Sequence, residues 1–372
     1  MNDSDGEKMP GRPGFVFLGC QAGAEAAVKG EMERRWRSFR FAFSRPGFLT
    51  YKLPEEHGLR ADFDPELVFA RCWGFSLGKV RASDKAELVG GVWRLFGARP
   101  CRRLHVWQRD RWPAGQHDFE PSITPIAREA HAALLAACPR KGELAEGAND
   151  PVASACRGEM VLDCVLAEPD EWWVGFHRAR EPASCWPGGI PPLKLPPHAV
   201  SRAWLKTEEA LRWSELPIPK GARAVELGSA PGGASQALLA RGLEVMGIDP
   251  AAMHPSVLGE PGFTHLRRRV RQVRRREFRK ARWLLADMNV APNCTLDTVE
   301  AIVAYPQVSI RGMLLTLKLP DWDLAAEVPG YLERVRAWGY NVVRARQLAH
   351  NHQEVCVAAL VKPFRRKSGR PE

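Results

Sequence analysis

The sequence lacks the cysteine pairs that hold many small secreted or zinc-dependent domains together. Its nine cysteines are scattered singly, with no C-x-x-C pair and an odd total, so neither a zinc cage nor a disulfide framework is indicated. No H-E-x-x-H or comparable histidine spacing exists, and we therefore predict no metal site. The single thiols are typical of a reduced, cytoplasmic protein.

Long apolar runs are also missing. No stretch approaches the ~20 apolar residues that a membrane helix requires. Residues 1–14 are polar and contain no apolar core of signal-peptide length. We therefore expect a soluble cytoplasmic protein that makes no membrane contact.

Acidic residues are the scarcer charged class. The chain has 54 Lys and Arg against 43 Asp and Glu, a formal net charge of +11, which suits a polyanionic partner such as RNA. Residues 267–282 hold nine arginines and one lysine against a single glutamate. Like charges at this density repel unless a polyanion or solvent separates them. The segment therefore either binds RNA phosphates or is a solvated loop, and the sequence leaves both possibilities open.

The dinucleotide-binding pattern G-x-G-x-x-G is absent, although a glycine-rich turn, GSAPGG, occupies residues 228–233. The turn follows an apolar run that ends at Glu226 and Leu227, and the next apolar run ends at Asp249. This order builds a nucleoside pocket in an open parallel sheet. Without the spacing that seats a pyrophosphate, S-adenosylmethionine fits better than NAD or FAD, with Asp249 on its ribose hydroxyls. A turn without a ligand is the alternative.

The second half of the chain alternates regularly between strand and helix patterns, which predicts a Rossmann-like α/β domain with a mainly parallel sheet. The last two strands, at residues 341–347 and 354–360, are joined by a short polar segment and should form an antiparallel hairpin at one edge. The other predicted strands are 224–227, 243–248, 281–286 and 312–317, and the predicted helices are 232–241, 296–307 and 324–338.

The first half has a mixed α+β pattern without regular alternation. A proline-rich segment at residues 186–197 is typical of a linker, so we place a boundary near residue 183. The predicted organisation is a disordered tail at 1–14, a small α+β unit at 15–62, an α+β domain at 63–182, the Rossmann-like domain at 183–362 and a basic tail at 363–372.

Polar residues stand where strands end. Asp287 and Lys318 each close an apolar strand, so both side chains should emerge at the carboxyl edge of the sheet, where such folds bind ligands. Glu226 and Asp249 belong to the same layer. Taken singly, Lys206 in a helix before the first strand and Glu354 at the start of the last strand are more readily surface charges.

These residues carry a resemblance to a known family. Lys206, Asp287, Lys318 and Glu354 follow the order of the K-D-K-E tetrad of FtsJ-type RNA 2′-O-ribose methyltransferases. Residues 189–194, 201–209, 317–320 and 345–348 further resemble the bacterial ribosomal RNA large subunit methyltransferase M family, over residues 183–361. Residues 15–180 match that family only loosely, through pieces such as residues 67–73.

The resemblance implies methylation of a ribose 2′-oxygen, that of a cytidine in 23S ribosomal RNA, with S-adenosylmethionine as the cofactor. It implies a THUMP-like, RNA-binding domain at 63–182. It also implies that the tetrad is catalytic, with Lys318 as the base that takes the proton of the hydroxyl. The expected cofactor-binding residues are Ser201, Glu226, Gly228, Ala230, Pro231, Gly232, Gly233, Asp249 and Asp287.

The sequence departs from the family at one point. Where the family carries an acid near the adenine, residues 266–271 read LRRRVR, so an arginine near Arg269 replaces it. Backbone groups, Gln272 or a rearranged loop could hold the adenine instead. This departure keeps a second function open, that of a catalytically inactive RNA-binding protein that retains the methyltransferase fold.

Overall fold

The computed structural model describes residues 13–362. These residues form two compact units, divided between Pro192 and Leu193. The tails predicted at 1–14 and 363–372 lie outside the described range, apart from residues 13 and 14. Between residues 13 and 362, no helix combines the length and the apolar character that crossing a membrane demands.

The first unit is built on one seven-stranded sheet. Its strands are β1 (Phe15–Cys20), β2 (Arg40–Arg45), β3 (Phe48–Lys52), β4 (Ala70–Arg81), β5 (Arg103–Gln108), β6 (Met160–Glu168) and β7 (Glu171–Arg178). Its helices are α1 (Glu25–Arg35), α2 (Lys85–Phe96) and α3 (Pro125–Ala136). The strand order is β2-β3-β1-β4-β7-β6-β5, and β5 and β6 are its parallel pair.

This sheet contains strands from both sides of the domain border that the sequence suggested between residues 62 and 63. Strand β4 pairs with β1 on one side and with β7 on the other, so residues 15–62 are not a separate unit. The sequence hides β4 because its first seven residues are all buried, and a strand buried on both faces shows no alternation of apolar and polar residues. The THUMP-like character of residues 63–182 stays a prediction.

The second border also differs from the prediction, which placed it near residue 183. Residues 183–192 belong to the first unit, where Trp186 is 7% exposed. The Nε atom of Arg71 donates to the carbonyl oxygen of Gly188 at 2.8 Å. Prolines indicated a linker here, but short 3₁₀ turns at Ala183–Cys185 and Pro187–Gly189 pack this segment onto the sheet.

The second unit has the predicted Rossmann-like architecture. Its strands are β8 (Arg223–Leu227), β9 (Glu244–Ile248), β10 (Phe263–Leu266), β11 (Trp283–Ala286), β12 (Gly312–Lys318), β13 (Val342–Arg346) and β14 (Glu354–Leu360). Its helices are α4 (Ala203–Ser214), α5 (Gly233–Ala240), α6 (Pro255–Leu258), α7 (Pro292–Val303) and α8 (Val328–Ala337). The order is β10-β9-β8-β11-β12-β14-β13.

The strands from β8 to β12 pair in parallel, and β14 pairs antiparallel with β12 and β13. This confirms the parallel sheet with an antiparallel edge hairpin. The chain runs outward from β8 to β10 and then returns to β11 on the other side of β8. The strand order therefore reverses between β8 and β11, and in open α/β sheets such a reversal opens a crevice at the carboxyl ends of the strands.

Candidate active site

The carboxyl ends of β8 and β11 are packed closely together at this reversal. The backbone N–H of Asp287, which follows β11, donates to the carbonyl oxygen of Leu227 at 3.0 Å. Gly228 follows β8 with φ +82°, and an ideal Cβ there would stand 2.6 Å from the carbonyl oxygen of Asp287. Only glycine fits both the positive φ and this close approach, so the turn after β8 lies directly against the backbone of Asp287.

Four charged side chains meet at this crevice and form a closed ring of alternating sign, which we call the tetrad. Its members are Lys206, Asp287, Lys318 and Glu354. The Nζ atom of Lys206 lies 2.7 Å from Asp287 Oδ2 and 2.7 Å from Glu354 Oε1. The Nζ atom of Lys318 lies 2.8 Å from Asp287 Oδ1 and contacts Glu354 Oε2. The sequence predicted these residues as a group, and the structure brings all four together.

Four different elements supply the tetrad. Lys206 lies in the first turns of α4, and Asp287 directly follows β11. Lys318 ends β12 and Glu354 begins β14, and these two residues are partners in the antiparallel register. A surface charge was the simpler interpretation of Lys206 and of Glu354 alone, and their positions exclude it.

Burial alone favours the neutral forms of Lys206, Asp287 and Glu354, but opposite charges outweigh it. Burial lowers the pKa of Lys206, whereas the carboxylates of Asp287 and Glu354 raise it further, so the pKa lies above its ordinary value. Burial likewise raises the pKa values of Asp287 and Glu354, yet the lysines bring both below their ordinary values. These carboxyl groups and Lys206 are therefore ionised at neutral pH.

A loop before β14 holds Glu354 in place. Asn351 Nδ2 donates to Glu354 Oε1 at 3.1 Å. The carboxylate of Glu209, on α4, accepts from the backbone N–H groups of Ala349 and His350 at 2.7 and 2.8 Å. Sequence reasoning missed Glu209 and Asn351. The available signal was their spacing, because Glu209 follows Lys206 by three residues on a helix and Asn351 precedes Glu354 by three.

An unused hydrogen-bonding group lies beside the glycine-rich turn. The Oγ atom of Ser201 is buried without a hydrogen-bond partner, and an ideal Cβ on Gly233 would stand 2.2 Å from it. The carboxylate of Asp249 accepts from the N–H of Ala230 at 3.2 Å and from the N–H of Ala251 at 2.8 Å. Ser201 and Asp249 therefore border the turn.

The other turn residues that were predicted to bind the cofactor connect β8 to α5. Pro231 and Gly232 connect Ala230 to α5, and Gly232 has φ +119°. An ideal Cβ on Gly232 would stand 2.7 Å from the side chain of Val257 and 2.9 Å from that of Met253. The turn can therefore lie close to its neighbours because its glycines carry no side chains.

Glu226 lies beneath this turn. It is 2% exposed, and its carboxyl group contacts the hydroxyl of Ser235. Burial, aided by the charges of Asp287 and Asp249, raises the pKa of Glu226 to about 8, so the group is largely protonated at neutral pH. Glu226, Lys206 and Asp287 line a cavity of about 30 Å³. The structure therefore places Glu226 below the crevice and not on its open surface.

After β10, the structure limits one of the alternatives that the sequence left open. Arg267, Arg268 and Arg269 follow β10 and are exposed. The side-chain oxygen of Gln272 accepts from the N–H of Arg269 at 3.1 Å, so this oxygen already has a donor. Across residues 13–362, no group of three or more histidine, cysteine, aspartate or glutamate side chains is placed to hold a metal ion.

Comparison with known proteins identifies the relatives of this chain. The family model for FtsJ-like methyltransferase matches residues 199–330, which include three of the four tetrad residues. The chain is 35% identical over 353 residues to ribosomal RNA large subunit methyltransferase M of Halorhodospira halophila, covering 92% of this chain and 96% of that one. It is 35% identical over 303 residues to the protein of the same name from Azotobacter vinelandii, covering 78% and 79%.

Solved structures give more distant matches. TrmN from Thermus thermophilus is 13% identical, with a TM-score of 0.34, over 93% of this chain and 99% of that one. A likeness at this level decides nothing about the reaction.

Proposed function

The chain belongs to the ribosomal RNA large subunit methyltransferase M family, and from this premise we propose that it methylates a ribose 2′-hydroxyl of large-subunit ribosomal RNA, using S-adenosylmethionine. The observation that carries the proposal is the closed ring of Lys206, Asp287, Lys318 and Glu354 at the crevice between β8 and β11. Following the resemblance, we propose a cytidine of 23S ribosomal RNA as the target.

Three groups at the crevice support the binding of S-adenosylmethionine. Ser201 offers a buried hydroxyl without a partner beside Gly233, and the turn from Ala230 to Gly233 offers main-chain groups at the switch of the strand order. We assign these groups to the amino-acid end of the cofactor and Asp249 to its ribose hydroxyls, with Glu226 supporting the turn from below. When bound, the cofactor supplies a methyl group on a positively charged sulfur.

Lys318 is the tetrad member that we assign as the base. A ribose hydroxyl is a poor nucleophile at neutral pH, so a base must take its proton during the attack. Lys206 is unsuited because its raised pKa keeps it charged. The Lys318 side chain is also the more exposed of the two, at 23% against 13%, and can reach a substrate.

The other tetrad members position Lys318 and stabilise the product of proton transfer. Lys318 first loses a proton to solvent, and its neutral amine would then take the proton of the 2′-hydroxyl as that oxygen gains the methyl group. The cofactor would give up this methyl group by cleavage of its carbon–sulfur bond, so that its sulfonium becomes a neutral thioether. The resulting ammonium lies between the carboxylates of Asp287 and Glu354, which favour the charged form.

Two substitutions at Lys318 test this assignment. We expect Lys318→Ala to lower methyl transfer by about 10²- to 10⁴-fold, the usual contribution of a general base. Lys318→Arg keeps the positive charge but cannot become neutral, so it should be similarly inactive. Transfer is measured with labelled S-adenosylmethionine and unmodified large-subunit ribosomal RNA, and Lys220→Ala, at an exposed lysine, is the control.

Thermal shift with S-adenosylmethionine checks that each variant keeps the cofactor site, because a ligand that binds the folded state raises its apparent stability. An active Lys318→Arg variant would refute the base assignment. A wild-type protein that binds RNA and the cofactor but transfers no label would instead support the alternative, an inactive RNA-binding protein.

A further inference from the structure

The arginine-rich segment at residues 267–282 connects opposite edges of the second unit's sheet. It begins after Leu266, the last residue of β10, and ends before Trp283, the first residue of β11. Because β8, β9, β10 and β11 are mutually parallel, the segment leads from the carboxyl edge to the amino edge. Its first arginines lie on the edge that carries the tetrad, and its last ones lie on the edge that faces away from it.

The half of the segment that precedes β11 has an ordered backbone. Residues Arg275–Lys280 form a 3₁₀ helix. Within it, Phe278 is 0% exposed, and Val273 just before it is 5% exposed. Burial of these two side chains anchors the backbone, so the arginines around them project from an ordered surface. This argues against a solvated loop without a defined conformation.

These residues line a groove at the amino edge, which we call the basic groove. Its charged lining residues are Arg223, Glu244, Arg276, Glu277, Arg279 and Lys280, and its volume is about 650 Å³. Among the described residues that line it, Arg223 pairs with Glu244 at 2.6 Å, and Arg276 with Glu277 at 3.6 Å. Four positive charges therefore face two negative ones, and the excess lies on Arg279 and Lys280.

We propose that the basic groove binds phosphates of the RNA substrate, as a second contact on the edge opposite the tetrad. The inference rests on the proposed function, because it takes the partner to be the same ribosomal RNA. Ten of the 54 Lys and Arg residues of the chain fall within the 16 residues of the segment 267–282. Phosphates relieve the repulsion among such charges, and arginine binds them through two parallel hydrogen bonds.

The position of the groove suggests a path for the RNA. The strands between the two edges have four or five residues, or about 15 Å at the usual rise of a strand. Arg267, Arg268 and Arg269 are exposed at the start of the segment, so cations continue from the crevice to the groove. An RNA strand that leaves the tetrad can therefore follow the segment around the sheet.

The test compares two double variants that remove the same charge. Arg279→Gln/Lys280→Gln removes the two cations that make up the excess positive charge of the groove. Arg212→Gln/Arg336→Gln removes two half-exposed arginines, on α4 and α8, that do not line it. The full-length proteins are titrated with an unmodified large-subunit ribosomal RNA transcript at several salt concentrations. Their fold is checked by circular dichroism.

We expect the groove variant to lose about 1.4 to 1.8 from the slope of log affinity against log salt, because each phosphate contact contributes about 0.7 to 0.9. The control variant should keep the wild-type slope. Equal slopes for the groove variant and the wild type would overturn the inference, as would an equal loss in both variants, which would show an effect of net charge alone.

Methyl transfer measured on the same samples separates this inference from the proposed function. If the wild-type protein transfers no methyl group but the salt-dependence slope falls in the groove variant alone, the proposed function is wrong and the groove remains an RNA contact. If transfer occurs and the slopes are equal, the groove inference alone fails.

Discussion

Glu354 is the most enclosed residue of the tetrad, with a side chain 2% exposed against 13% to 24% for the others. It is the ion-pair partner of both lysines. Removing one member of a buried ion pair leaves an uncompensated charge, so we expect Glu354→Gln to lower the free energy of unfolding by about 3 kcal/mol. Urea-induced unfolding measures this loss.

The matched control is Glu300→Gln, which removes the carboxylate of an exposed pair with Arg334. Exposed ion pairs contribute up to about 1 kcal/mol, so this variant should remain near the wild type. Equal losses in the two variants would contradict the burial of the ring.

At the residue scale, strand ends marked Asp287 and Lys318 in the sequence, whereas only the family pattern marked Lys206 and Glu354 as members of the tetrad. Glu209 and Asn351 were missed because their spacing alone does not show that their partners are the backbone of a loop and a neighbouring carboxylate. The sequence also could not show that Glu226 is protonated, since its raised pKa depends mainly on its burial in the folded chain.

At the scale of elements, the turn after β8 must approach β11 closely. We expect Gly228→Ala to destabilise the protein by about 2 to 4 kcal/mol, because it adds a clash with the carbonyl of Asp287 to the cost of a positive φ. Gly221→Ala is the control, since Gly221 has φ +74° and open space around its Cβ position. It should cost only about 1 to 2 kcal/mol.

Thermal unfolding of the two alanine variants gives the comparison. Methyl transfer should fall in Gly228→Ala alone, because the clash displaces Asp287. A Gly228→Ala protein as stable and as active as Gly221→Ala would show that β8 and β11 do not meet as described.

His177 of β7 is a buried histidine that lies between β6 and the 3₁₀ turn at Ala183–Cys185. His177 Nδ1 lies 2.6 Å from the carboxylate of Asp163, and its Nε2 lies 2.8 Å from the carbonyl oxygen of Ser184. Both partners only accept hydrogen bonds, which favours the doubly protonated ring. Burial lowers the pKa of His177, but Asp163 and Ser184 together raise it above its ordinary value.

A raised pKa in the folded state stabilises the protein at low pH. The contribution is complete below the unfolded pKa of about 6.5 and is lost as the pH rises through the higher pKa of the folded state. We expect the free energy of unfolding to fall from neutral to alkaline pH more steeply in the wild type than in His177→Gln. Parallel pH profiles would contradict this account.

Among the elements, the alternation of the second unit was predictable from its pattern, and its parallel sheet and edge hairpin are confirmed. Strand β10 was not predicted, because its four residues are only partly buried and include Thr264 and His265. Strand β4 was missed for the opposite reason, since its first seven residues are all buried.

At the scale of the whole molecule, two fragments of the chain test where the first unit ends. A fragment of residues 13–192 should fold alone, because it contains a complete sheet with its own core. A fragment of residues 13–182, which ends at the border that prolines suggested, lacks buried Trp186, the Gly188 carbonyl and the partner of His177 at Ser184.

We expect the shorter fragment to be less stable by at least about 3 kcal/mol, the scale of losing one large buried side chain. Chemical denaturation of both fragments measures the difference. Equal stability would place the border where the sequence alone suggested it. Proline content misled that prediction, because it indicates irregular backbone but not whether the segment is buried.

The arrangement of the tetrad favours methyl transfer to a ribose oxygen and not to a base. The direct measurement is to methylate unmodified large-subunit ribosomal RNA with labelled S-adenosylmethionine, digest it to nucleosides and locate the label by mass spectrometry. We expect one 2′-O-methylated nucleoside, which should be absent when Lys318→Ala replaces the wild type. Label on a nucleobase, or an unchanged product from Lys318→Ala, would contradict this expectation.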